Sequence, residues 1–101
     1  MRIVWSDTAQ ADVKEIYDYY KEVASVKVAR SLRSKLIKKP RLLTKQPQLG
    51  QEEENPVVAG RGFRYLVEGN YKIVYKVFAE RQEILIAAVF DTRQNPTKLN
   101  V

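Results

Sequence analysis

The run Ile84-Leu85-Ile86-Ala87-Ala88-Val89-Phe90 offers no polar position on either side of an extended chain. Successive side chains of a strand point to opposite faces, so such a run needs cover on both faces and neighbours on both edges. It predicts a central strand from Glu83 to Phe90, with the rest of a sheet built around it. The run ends abruptly in Asp91-Thr92-Arg93-Gln94-Asn95-Pro96. A buried strand that ends in Asp and Arg brings charge to the rim of a sheet, where small domains carry working surfaces. No His, Tyr or Cys accompanies that charge.

Other strands can be read around this one. Tyr71 to Phe78 alternates, with Ile73, Tyr75 and Val77 on one face and Lys72, Val74 and Lys76 on the other. Phe63 to Val67 reads as its hairpin partner, joined through Glu68-Gly69-Asn70. Ala79-Glu80-Arg81-Gln82 reads as a second turn, and Arg2 to Trp5 as a short strand. Gln51 to Gly62 is polar and broken by Pro56, Gly60 and Gly62, so it reads as a loop, with a short strand at Val57-Val58.

Between the first strand and that loop the period changes. Asp7, with Gln10 three residues on, predicts a capped helix start. Ala9, Val13, Ile16, Tyr20 and Val23 then share one face at about 100° per residue, while Asp12, Glu15, Asp18 and Glu22 point elsewhere. Tyr17, Tyr19 and Tyr20 read as packing residues. Ser25 predicts the cap of a second helix with Ala29, Leu32, Leu36 and Leu43 inward. Lys27, Arg30, Lys38, Arg41 and Lys45 project outward within a sector of about 80°. Pro40 removes a backbone donor and should kink or end this helix near Lys39. The link Ala24-Ser25 is short enough to make the pair an antiparallel hairpin. The fold class that follows is α+β. An N-terminal strand and a two-helix antiparallel hairpin pack on a small, mostly antiparallel sheet in the order β-α-α-β-β-β. A chain of 101 residues suits one domain spanning residues 1–101.

Composition narrows the chemistry. Cys and His are both absent, which excludes disulfides and thiolate sites and speaks against any metal; no cofactor is expected. No apolar run reaches the roughly 20 residues of a membrane span, and the N-terminus lacks a signal-peptide pattern, so a reducing cytoplasm is expected. The net charge of +6 is unevenly spread. Residues 7–22 hold five acids and two bases, whereas residues 27–45 hold eight bases and no acid. Such a segment suits a phosphate backbone or an acidic partner, or is simply a solvated helix face. Glu52, Glu53 and Glu54 read as a solvated loop.

Without His, Cys or a Gly-rich phosphate loop, nucleophilic catalysis of the common kinds is not expected. Phosphate recognition has more support, because Arg61, Arg64, Lys72, Lys76 and Arg93 all fall in the sheet half. Arginine matches phosphate bidentately. Should Arg64 and Arg93 converge on one sheet face, they would hold a scissile phosphate or its developing charge. The alternative is that either one pairs with Asp91 or Glu68 and closes the sheet.

The chain resembles the RelE/ParE superfamily of bacterial toxins. The resemblance rests on Trp5 followed by Ala9, the segment Ala11-Asp12-Val13-Lys14-Glu15-Ile16-Tyr17, then Ala29, Leu43, Pro47 and Gly50. It continues through Arg64-Tyr65, Tyr71-Lys72-Ile73-Val74-Tyr75, Val89-Phe90 and Arg93. It implies two helices over a small antiparallel sheet, a cognate antitoxin that wraps the toxin, and a toxin–antitoxin hetero-oligomer. Two activities occur in the superfamily. RelE-like members cut messenger RNA on the ribosome, and ParE-like members poison DNA gyrase. By resemblance Arg64 looks like the sheet arginine of the ribonuclease branch, and Glu53 falls where some members place a carboxylate base. Some ribonuclease members end in His-Tyr where this chain has Thr92-Arg93. ParE-like members often have His followed by Arg where this chain has Asp91 and then Arg93. Acid–base catalysis needs a group of suitable pKa near the leaving oxygen, and Thr and Arg supply none.

The favoured expectation is therefore a ParE-like toxin that inhibits growth, with plasmid stabilisation as its setting, and whose target is gyrase. Arg61, Arg64, Lys72, Lys76, Asp91 and Arg93 would bind that target or a phosphate. The alternatives are a ribosome-dependent endonuclease using Arg64, Arg93 and Glu53, and a non-toxic binding module of the same fold.

Overall fold

The computed structural model describes all 101 residues. Its elements in chain order are β1 (Arg2–Trp5), α1 (Asp7–Val23), α2 (Val26–Lys38), β2 (Gln51–Glu52), β3 (Phe63–Glu68), β4 (Tyr71–Phe78) and β5 (Glu83–Asp91). A six-residue 3₁₀ turn, Lys39–Thr44, continues the line of α2. The sheet order is β1-β5-β4-β3-β2. β5 thus has a neighbour on each edge, as its doubly apolar sequence requires. Its pairing with β1 is parallel, in register Ile3 with Ile84 and Trp5 with Ile86, and the other pairings are antiparallel.

Both faces of the sheet are covered, by different means. Under the helices lie Ala9, Val13, Leu36, Leu43, Leu66, Ile73, Tyr75, Ile84, Ile86 and Val89. Full burial of one such Leu or Ile contributes about 2 kcal/mol. On the other face Phe63, Val74, Ala87 and Ala88 are capped by Val58 from the loop after β2 and by Leu99 from the C-terminal segment. Ala87 is an extra residue on β5: Val74 pairs with Ala88 and Tyr75 with Ile86. This bulge sends Ala87 and Ala88 to the same outer cluster and shifts the phase of the rest of the strand.

The helix caps explain one departure from expectation. The α1 cap is Ser6, not Asp7: Ser6 Oγ accepts from the Ala9 amide at 3.0 Å and donates to the Ala87 carbonyl at 3.0 Å. Serine can do both at once, so one hydroxyl starts the helix and ties it to the sheet. Gln10 reaches the Trp5 carbonyl rather than completing a capping box. Ser25 caps α2 as expected, through the Val28 amide at 3.1 Å. Pro40 ends α2 at Lys38, and the chain tightens into the 3₁₀ turn because the ring cannot continue the α-helical ladder.

Several inward assignments change. Val23 and Tyr19 are exposed, and Tyr19 stacks edge-on against Tyr20 at 5.1 Å instead of entering the core. Asp12, expected to face solvent, turns inward and accepts from the Val89 amide at 2.9 Å. β1 pairs only as far as Ile86, so Val89 lies beyond its partner strand and a helix side chain satisfies it instead. Burial pushes the Asp12 carboxyl above its usual range, an effect the Val89 amide opposes. Val57-Val58 is a turn rather than a strand, because Asn55 Oδ1 accepts from the Val57 amide at 2.9 Å and bends the chain locally. The short strand of this region is β2 instead. At the β3–β4 hairpin the strands run through Glu68 and from Tyr71, leaving a two-residue turn in which Gly69 has φ +59°.

Candidate functional site

The residues singled out for binding or catalysis divide among three places. The first is the rim where β5 ends. Arg93 bends back on Asp91: its Nε and Nη2 donate at 3.0 and 2.9 Å to the two carboxylate oxygens, and its backbone amide donates to Oδ1 at 2.9 Å. Thr92 fixes the turn between them, with its amide and hydroxyl on the Asn70 carbonyl at 2.8 and 2.9 Å. Hydrogen bonding from Arg93 holds the Asp91 carboxyl below the usual carboxylate range, and Asp91 in turn raises Arg93 further. Across the ladder from Asp91 sits Tyr71, whose hydroxyl is 3.5 Å from that of Tyr20. Burial first, and Tyr20 second, push the Tyr71 phenol well above its normal value. A cleft of about 490 Å³ opens beside this group between α1, β5 and the C-terminal segment. Glu15, Tyr19, Tyr71, Asp91, Arg93 and Lys98 line it. The rim can therefore present a fixed guanidinium beside a carboxyl held ionised.

The second place is under the helices, around Arg64. Arg64 pairs across the ladder with Tyr75, and Asp91 pairs with Tyr71. Four residues of β4 separate those registers, roughly 13 Å at strand rise. Arg64 and Arg93 accordingly do not converge. Arg64 Nη1 donates instead to the Gly50 carbonyl at 2.8 Å, and Nη2 lies 3.9 Å from Glu52. Tyr75 completes the same knot: its hydroxyl donates to the Pro47 carbonyl at 2.8 Å and accepts from the Gly50 amide at 2.9 Å. A Cβ on Gly50 would sit 2.6 Å from the Tyr65 carbonyl and 2.7 Å from the Tyr75 ring. The Pro47–Gly50 spacing therefore has a structural cause, and Arg64 closes the sheet through backbone rather than through Glu68 or Asp91.

The third place is the outer sheet face. Glu53 is buried, contrary to the solvated loop expected for the glutamate triplet. Its Oε1 accepts from Lys72 Nζ at 3.2 Å and from the Asn55 amide at 3.0 Å, while Oε2 has no partner. Lys72 Nζ also lies 4.2 Å from the Tyr65 ring centre. Further along, Arg61 and Lys76 both lie over Phe63, at 5.7 and 5.4 Å. Thus Arg61, Lys72 and Lys76 share one face, Arg64 occupies the other, and Asp91 and Arg93 hold the rim. No group of three or more acids, His or Cys is arranged to hold a metal ion. Two carboxylates were not expected from the sequence to turn inward: Glu53, which is buried, and Asp12, which is half-buried. For Asp12 the only signal was its place beside Val13 on a helix bound to cover β5.

Comparison with known proteins agrees with this architecture. The family described as ParE toxin of type II toxin-antitoxin system, parDE, matches residues 3–96. Among solved structures, a chain of the chromosomal ParDE TA system from P. aeruginosa matches with a TM-score of 0.77 at 20% identity. The match covers 92% of this chain and 97% of that one, and at this identity it shows the fold. No curated protein sequence matches. Two helices on a five-stranded mixed sheet, with the family match running from β1 to past the Asp91–Arg93 rim, show that the chain belongs to the ParE toxin family of type II toxin–antitoxin systems.

Proposed function

We propose that this chain acts by binding and poisoning DNA gyrase in the cytoplasm, not by hydrolysing RNA, and that a cognate antitoxin neutralises it. The observation that carries this reading is the Asp91–Arg93 clamp. It holds a permanently charged guanidinium at an exposed strand end, beside a carboxyl kept ionised and a phenol kept protonated. Such a group grips a partner through fixed, charge-assisted hydrogen bonds and transfers no proton. Purified protein in a supercoiling assay should inhibit gyrase or trap its cleavage complex at micromolar concentration, and Arg93→Ala should lose most of that effect. Wild-type protein without effect would remove gyrase as the target.

The antitoxin would add to the free edge of β3. β2 covers only Arg64 and Tyr65, leaving Leu66 to Glu68 with an open backbone edge beside exposed Val67. Co-expression with the neighbouring small protein should give a complex that survives gel filtration.

One feature favours the ribonuclease alternative: Glu53 is paired with Lys72 on the sheet face that also carries Arg61 and Lys76 over Phe63. That reading assigns catalysis to Glu53, Arg64 and Arg93. It expects translation-dependent mRNA cleavage, read by primer extension, to vanish with Arg64→Ala.

A further inference from the structure

The outward face of α2 is a surface that none of this accounts for. At about 100° per residue, Lys27, Arg30, Ser31, Ser34, Lys35 and Lys38 fill one sector opposite the buried Ala29 and Leu36. Residues 27–45 contain eight bases and no acid. Of the eight, only Arg33 has a partner, the Tyr17 ring at 4.3 Å; the rest make neither an ion pair nor a ring contact. A shallow groove of about 510 Å³ runs along this face past Ser31, Ser34, Lys35 and Lys38, with Glu68 at its far edge.

From this arrangement we propose that the outward face of α2 binds the phosphate backbone of duplex nucleic acid. The four helix cations, Lys27, Arg30, Lys35 and Lys38, lie within eleven helical steps, about 16 Å of helix, along which a duplex presents roughly ten phosphate charges. Ser31 and Ser34 stand between the cations, where short hydroxyls let the helix approach and donate to phosphate oxygens. No aromatic side chain occurs from Val26 to Lys45, so nothing there stacks on unpaired bases, and a single strand is disfavoured. Leu42 is the one apolar side chain lining the groove, so an acidic amphipathic peptide would meet mostly charge and bury little. The Asp91–Arg93 rim takes no part, so this surface and the gyrase reading stand or fall separately.

The test is fluorescence anisotropy of the full chain with a labelled mixed-sequence duplex of about 20 base pairs, between about 50 and 200 mM salt. Four phosphate contacts give a log–log salt slope of about −3.6. The triple variant Lys27→Ala, Arg30→Ala, Lys38→Ala should reduce its magnitude by about 2.7, three contacts at about 0.9 each. These positions are exposed and alanine favours helix, so the variant should keep its far-ultraviolet circular dichroism. A control pair, Arg2→Ala with Arg81→Ala, removes two cations already paired with Glu83 and should leave the slope unchanged. The proposal is overturned by absence of binding at low salt, or by a slope the triple variant does not alter. Displacement of the duplex by polyglutamate at equal charge would reassign the surface to acidic polypeptides. Tighter binding of single-stranded RNA would overturn the duplex assignment.

Discussion

From Arg61 to Arg93 every arginine and lysine leans on a carboxylate, a backbone carbonyl or an aromatic ring, whereas along α2 and the turn after it nearly every cation stands in water. Burial explains part of the difference. Arg64 and Lys72 lie half-buried on packed sheet surface, where an unpaired charge is costly, and Glu52 and Glu53 stand beside them. Arg81 and Arg93 are exposed, and their pairs with Glu83 and Asp91 are local contacts two residues apart. The outer face of a surface helix imposes no such demand. Charge in the first region is held in place by neighbouring groups, and charge in the second stands largely unpaired.

The sharpest way to break this contrast is Lys72→Ala, which would leave Glu53 buried beside no cation. It should destabilise by about 3 kcal/mol in urea unfolding, and Glu53→Met with Lys72→Met should recover much of the loss. A cost below about 0.5 kcal/mol would mean the pair is not structural. Next in size is Tyr75→Phe, which removes the bond to Pro47 and orphans the Gly50 amide. About 2 kcal/mol is expected from the same measurement. Asp91→Asn should cost less than about 1 kcal/mol at neutral pH, because Arg93 is mostly exposed. Its folded carboxyl is held low, so its contribution is present above the unfolded value of about 4 and is lost as pH falls through the folded one. The gap in melting temperature between Asp91→Asn and the parent should therefore narrow progressively as pH falls below about 4. Smallest of all, Lys27→Ala with Arg30→Ala should change stability by no more than about 0.5 kcal/mol. A loss as large as that from Lys72→Ala would erase the distinction between the two regions.

The features legible in the sequence were those decided by local chemistry. The central strand followed from a run with no polar face, the hairpin from Glu68-Gly69-Asn70, the second helix start from Ser25 and its end from Pro40. What escaped was decided by distant partners. Glu53 is buried because Lys72 comes from another strand and the Asn55 turn folds over it. Asp12 faces inward because β1 stops short of Val89. The separation of Arg64 from Arg93 depends on strand register, and the bulge at Ala87 shifts that register without a clear mark in an already apolar run. β2, two residues long and both polar, carries no periodicity to detect.

β1 pairs with β5 across 81 positions of chain, and β5 is the middle of the sheet. While the protein is being made, its first strand and both helices emerge before the strand they must rest on. Contacts of such long range form slowly and late. The sheet, and with it the charged rim, therefore assembles only once the final quarter of the polypeptide has left the ribosome. The order of synthesis thus acts as a delay between the emergence of the helices and the closing of the sheet beneath them.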